Sequence, residues 1–137
     1  MFQLSASTRI YLAVGATDMR KSFDTLCGVV RSWGESRENP PCDRPEKEES
    51  AGDWPDPLAG HLFVFCNRRR DRIKILYFDG TGLWLLAKRL ERGGFSWPQP
   101  EEQIGGRHCA INQQELALLL GGVDMEKTKL RRWWRRF

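Results

Sequence analysis

From Arg9 to Val14 the chain is apolar and partly β-branched, and it closes at Gly15, so it predicts a strand. Thr17 and Asp18 then supply a hydroxyl and a carboxylate suited to a helix start. Met19, Phe23, Leu26, Val30 and Trp33 follow at spacings of 4, 3, 4 and 3 residues, one stripe of an amphipathic helix that stops at Gly34. Arg20, Lys21, Asp24 and Thr25 fall on the opposite face. The periodicity then disappears. Residues 35–59 are rich in Glu, Asp, Pro and Ser and read as a flexible acidic insert, with Trp54 as its one large apolar residue and Cys42 as an inert exposed thiol.

Order resumes at Gly60. His61 to Cys66 is apolar on both faces, as a central strand is. Asn67 to Arg70 forms a polar tip, and Asp71 to Phe78 returns as a second strand. The run Asp79, Gly80, Thr81, Gly82 is a strong hairpin signal, which makes Leu83 to Leu90 the third strand of a meander. Gly93 and Gly94 break it, and Phe95 to Trp97 reads as a short edge strand bounded by Pro98 and Pro100. Arg107 to Ile111 reads as a further short strand. Asn112 then caps a second helix with Glu115 at its third position and Leu116, Leu119 and Leu120 facing inward. The expected architecture is a single α+β domain over residues 1–125, an antiparallel sheet of four to five strands with a central meander, packed by two helices. The stripe of the first helix should cover one sheet face, and residues 126–137 form a basic, aromatic C-terminal tail.

The chain has 137 residues, 40% of them hydrophobic, enough for one domain with a real core. No run of 18 apolar residues occurs, so no membrane-spanning helix is expected, and no secretory pattern opens the chain. Scattered cysteines with no Cys-x-x-Cys pair then fit reduced thiols in a cytoplasm. The net charge of +4 hides an uneven distribution: residues 34–59 carry −5, residues 60–100 carry +5 and residues 125–137 carry +5. Two basic blocks offset by an acidic insert point toward a polyanionic partner, although solvated surface charge produces the same pattern.

A meander places the Arg68–Arg70 loop and the exit of its third strand, Lys88 to Arg92, at one end. With a two-residue turn, residue 79 pairs with 82, so 72 faces 89 and 74 faces 87. Arg72 and Lys74 then share a face with Arg89, while Leu76, Phe78, Leu83 and Leu85 occupy its other end. Like charges directly opposite cost a sheet roughly 0.2–1 kcal/mol per pair. A carboxylate within the fold (Glu91, Asp71 or the insert) or a phosphate from a partner should compensate. The tail, Arg131 to Phe137, combines guanidiniums with Trp133 and Trp134, which fits polyanion contact, docking on the body or on a partner protein, a mobile solubilising end or, more weakly for so short a stretch, a membrane-surface anchor.

Recognisable catalytic motifs are missing: no nucleophile elbow, no phosphate-binding lysine loop and no His-Glu-x-x-His occurs. His61, Cys66, His108 and Cys109 lack the spacing of a known zinc finger. Asp18, Asp24, Asp71 and Asp79 could form a carboxylate set for phosphoryl transfer, but Asp18 is explained by the helix start and Asp79 by the turn. No cofactor and no metal is implied.

Three stretches together resemble a known family. They are Gly15 to Leu26, the run from Gly60 to Trp84 that includes Asn67 to Asp71 and Asp79 to Gly82, and Ala87 to Gly93 with Phe95, Trp97 and Pro98. These residues, within about 4–33 and 60–125, are similar to the small second-frame accessory protein (TnpB type) of bacterial insertion sequences of the IS-sixty-six family. The resemblance implies a helper protein of DNA transposition encoded beside a separate transposase. The 35–59 insert and the C-terminal tail depart from the family pattern and take no function from it. The expectation is a cytoplasmic, non-enzymatic accessory protein whose partners are the DNA of the element ends and its transposase. The candidate DNA footprint is Arg68, Arg69, Arg70, Arg72, Lys74, Lys88, Arg89 and Arg92, with Arg20 and Lys21 next. The alternatives are an adaptor that grips an acidic surface of the transposase without touching DNA and, behind it, a metal-dependent nuclease. The sequence sets no oligomeric state.

Overall fold

The computed structural model describes residues 8–35, 56–98 and 107–121. Five strands and two helices follow in the order β1 (Ile10–Ala13), α1 (Phe23–Glu35), β2 (Leu62–Cys66), β3 (Arg72–Phe78), β4 (Leu83–Arg89), β5 (His108–Ile111) and α2 (Gln113–Leu120). The strands form one sheet in the order β4-β3-β2-β1-β5. The α+β architecture is therefore the expected one, and β2, buried at every position, is its central strand.

One pairing differs from an all-antiparallel sheet. β1 and β2 run parallel, with Tyr11 opposite Phe63, while the other three pairings are antiparallel. Parallel neighbours need a crossover connection, and α1 lies on that connection. The sheet is thus mixed because the amphipathic helix falls between β1 and β2.

Both faces are covered. On one, Leu26, Cys27, Val30 and Trp33 of α1 pack against Tyr11, Ala13, Phe63, Phe65 and Leu76. On the other, Leu116 and Leu119 of α2 join Phe95 and Trp97 over Ile10, Leu12, Leu62, Val64, Ile73 and Ile75. The alternation of side chains along each strand sorts these residues between the two layers. Phe95 and Trp97 are not an edge strand. They form an irregular strap over the α2 face, held by the Phe95 N–H on the Arg70 carbonyl (2.6 Å) and the Trp97 indole N–H on the Ala13 carbonyl (2.8 Å).

The first helix also starts later than Thr17 and Asp18. Asp18 instead closes a turn by accepting from the Arg20 N–H at 2.9 Å, and the Ser22 N–H donates to Thr25 Oγ1 at 2.8 Å as α1 begins. In consequence Phe23, placed on the inward stripe by spacing, is 41% exposed. The second helix carries the expected capping box: Asn112 Oδ1 accepts from the Glu115 N–H, and the Glu115 carboxylate accepts from the Asn112 N–H. Most of the acidic insert, with Trp54 and Cys42, and the whole basic tail lie outside the described residues.

Candidate nucleic-acid interface

The predicted register is observed. Arg72 faces Arg89, Lys74 faces Ala87 and Phe78 faces Leu83. At the far end of the hairpin, Asp79 Oδ1 accepts from the Thr81 and Gly82 N–H groups and the Thr81 hydroxyl, and Oδ2 accepts from the Trp84 indole at 2.8 Å. Gly80 sits at φ 99°, a conformation that a side chain would strain. The turn is therefore tightly specified, and it fixes which basic residues meet at the opposite end.

That opposite end is built by Asn67. Its side-chain oxygen accepts from the Asp71 and Arg72 N–H groups at 3.0 Å each, and its amide donates to the Asp71 carboxylate at 2.7 Å. Arg70 takes the left-handed φ of 60° that such a tight reversal requires. Arg68, Arg69 and Arg70 are thereby exposed on a short, stiff tip. The same bonds hold the Asp71 carboxylate against Asn67. Among the described residues, Arg68, Arg69, Arg72 and Arg92 have no carboxylate partner, and Arg89 has only the exposed Glu91 at 3.3 Å.

The loop before α1 is tied to the same end. Lys74 donates to the carbonyls of Met19 at 2.7 Å and Lys21 at 2.8 Å, and the Thr17 N–H donates to the Cys66 carbonyl. Arg20 and Lys21, proposed from a separate stretch of sequence, therefore neighbour the sheet-end cluster. Arg20 is engaged with Asp18 through three side-chain contacts of 2.8–3.1 Å. The hydrogen bonds from the Arg20 side chain, followed by its backbone N–H, hold the Asp18 carboxyl at about 2. An open cleft of about 460 Å³ lies between the loop and the hairpin, walled by Met19, Arg72, Lys74, Ala87, Arg89 and Glu91.

Two candidates take structural places. The Lys74 ammonium is committed to the loop carbonyls. Lys88 projects to the other sheet face, where it donates to the Leu120 carbonyl at 2.6 Å and closes the C-terminus of α2, where the helix dipole favours a cation. Sequence spacing alone gives no sign of either bond, because both partners lie far along the chain. Met19, which its spacing predicts on the helix stripe, lines the cleft from the loop before α1. The proposed carboxylate set is dispersed: Asp18 lies at the basic end and Asp79 at the opposite hairpin turn. Among the described residues no three of His, Cys, Asp and Glu gather closely enough to hold a metal ion.

The structure is thus a mixed sheet covered on both faces, with one exposed basic end. The comparisons with known proteins give it a family. The family model for the IS66 Orf2 like protein matches residues 52–130, and the chain belongs to that family. It is also 33% identical over 124 residues to the uncharacterized protein y4hO of Sinorhizobium fredii (strain NBRC 101917 / NGR234), covering 90% of this chain and 88% of that protein. A second uncharacterized protein of the same strain, y4jC, is 38% identical over 74 residues, 54% of this chain and 60% of its own length. No solved structure matches. Membership of this family implies an accessory protein of transposition. No helix among the described residues is long and apolar enough to cross a membrane.

Proposed function

We propose that the chain is a non-enzymatic, cytoplasmic accessory protein of transposition that grips DNA phosphates with its basic sheet end. Arg68, Arg69, Arg70, Arg72, Arg89 and Arg92 make the contact surface, flanked by Lys21 and Arg20. The observation that carries this reading is the Arg72–Arg89 pair, directly opposed and flanked by the exposed Arg68 and Arg69, which have no carboxylate partner among the described residues. Guanidiniums in such an array suit phosphate oxygens, which they bind bidentately. A role without catalysis is supported by the commitments of Asp18, Asp71 and Asp79 to local hydrogen bonds.

The test is duplex binding across a salt series, with and without the transposase. Each phosphate contact contributes about −0.9 to the slope of log affinity against log salt. Arg69→Ala combined with Arg89→Ala should weaken binding at low salt and flatten the slope by nearly two units, similarly for all DNA sequences, because phosphate contacts position without reading bases. A double variant that binds DNA like the parent but loses the transposase would establish the adaptor reading instead. If neither partner is affected, the arginines are solvated surface.

A further inference from the structure

The β4 strand is an edge seven residues long, and its sequence, Leu83-Trp84-Leu85-Leu86-Ala87-Lys88-Arg89, is mostly apolar. The hydrogen bonds at both ends of the hairpin fix which way its backbone points. The Asp79 N–H donates to the Gly82 carbonyl, and the Leu90 N–H donates to the Asp71 carbonyl. Trp84, Leu86 and Lys88 therefore turn their N–H and C=O groups toward β3, while Leu83, Leu85, Ala87 and Arg89 turn theirs outward. Among the described residues nothing bonds to these outward groups. An uncovered, regular edge of this length is a template for another strand.

We propose that β4 is a dimerisation edge, on which a second copy of this chain pairs antiparallel, centred on Leu86. Charge along the edge selects this occupant and this direction. Its beginning is acidic and aromatic, where Asp79 holds the indole of Trp84, which is 53% exposed. Its end is cationic, with Lys88 and Arg89. A parallel copy would set the two cationic ends side by side. The antiparallel copy sets Lys88, whose exposed ammonium keeps donors beyond the one on the Leu120 carbonyl, opposite Trp84 of the second copy, on the face where Asp79 lies, and sets Arg89 opposite Leu83. A lysine over an indole and beside a carboxylate is favourable on both counts. The backbone parity also fits: Leu86 meets Leu86 as a non-hydrogen-bonded pair, so Leu85 with Ala87 and Leu83 with Arg89 become the hydrogen-bonded pairs that use the outward groups. The product is a continuous ten-stranded sheet with both basic clefts on one face, about 20 Å apart along the strands.

The experiment is a concentration series of the full chain in sedimentation equilibrium, without DNA, so that its failure is separate from that of the phosphate reading. The parent should dimerise reversibly. Ala87→Pro removes an outward N–H and leaves the β3–β4 ladder intact, so it should raise the dissociation constant by about tenfold or more while thermal unfolding stays cooperative. Trp84→Glu and Trp84→Lys both delete the indole but place opposite charges against Lys88 of the second copy. The Glu variant should dimerise at least about tenfold more tightly than the Lys variant. A monomer at all concentrations overturns the proposal, and protection of the Leu85 and Ala87 amides in that monomer would show the edge covered by the same chain. Equal association of the two Trp84 variants overturns the antiparallel register.

Discussion

Arg72 and Arg89 stand directly opposite each other across β3 and β4, both exposed, with Glu91 reaching only Arg89. Cross-strand repulsion of this kind costs a sheet roughly 0.2–1 kcal/mol. An exposed ion pair such as Arg89–Glu91 returns little of it. Arg72→Thr should therefore raise the unfolding free energy by a few tenths up to about 1 kcal/mol in urea titrations, while duplex affinity at low salt falls. A less stable Thr variant would mean that the fold itself compensates the pair, which removes the main reason to expect an anionic partner there.

Lys74 shares that face and should behave in the opposite way. Its ammonium bonds two loop carbonyls at 2.7 and 2.8 Å in a part-buried setting. Hydrogen bonds from a charged donor contribute about 1.5–3 kcal/mol, so Lys74→Met should destabilise the fold by about 2 kcal/mol. Hydrogen exchange should quicken over residues 18–23. The salt slope of DNA binding should change less than in the Arg69 and Arg89 double variant, because the ammonium is already engaged. A full unit of slope lost with unchanged stability would return Lys74 to the phosphate footprint.

These two neighbours differ in how much of their setting is written locally in the sequence. The facing of Arg72 and Arg89 was legible because the Asp79–Gly82 turn fixes register, and a strand alternates with period two. The capping box of α2 was legible because it is local to Asn112 and Glu115. The bonds from Lys74 to Met19 and Lys21, and from Lys88 to Leu120, span 55, 53 and 32 residues and have no local signature. The parallel β1–β2 pair has no local signature for a related reason: strand signals carry no direction, and nothing in them shows that the connection through α1 returns the chain on the same side. The sequence pattern sets the start of α1 too early because Thr17 and Asp18 satisfy a helix-cap pattern that the Asp18–Arg20 turn also satisfies.

That turn gives a pH dependence with a defined sign. Arg20 lowers the Asp18 carboxyl from 3.8 to about 2, and the Trp84 indole, with Thr81 and Gly82, holds Asp79 well below the usual carboxylate range. A depressed folded value means the stabilisation is present above the unfolded value of 3.8 and is lost as pH falls toward about 2. Urea midpoints should fall across that interval in the parent. In Asp18→Asn combined with Asp79→Asn the fall should be shallower, because neither side chain then titrates. Identical slopes would show that neither turn is electrostatically coupled to folding.

Alternation along the strands puts Cys66 and Cys109 in the α2 layer, whereas His108 stacks on Trp33 of α1 at 4.9 Å and His61 lies edge-on to Tyr11 in the same α1 layer. The sheet therefore separates the two thiols from the two imidazoles, and a tetrahedral site drawn from all four would require the sheet to open. Burial pushes both thiols up to about 12, so they stay protonated at neutral pH and are poor ligands and nucleophiles; burial also raises Cys27. In a Cys42→Ser background, no thiol should react with a disulfide reagent at pH 8 until denaturant is added, when all three of these cysteines should react. Added zinc should leave Tm unchanged, since a ligand that does not bind the folded state cannot stabilise it. A zinc-dependent rise in Tm, lost on Cys109→Ser, would show a metal site that the sheet geometry argues against.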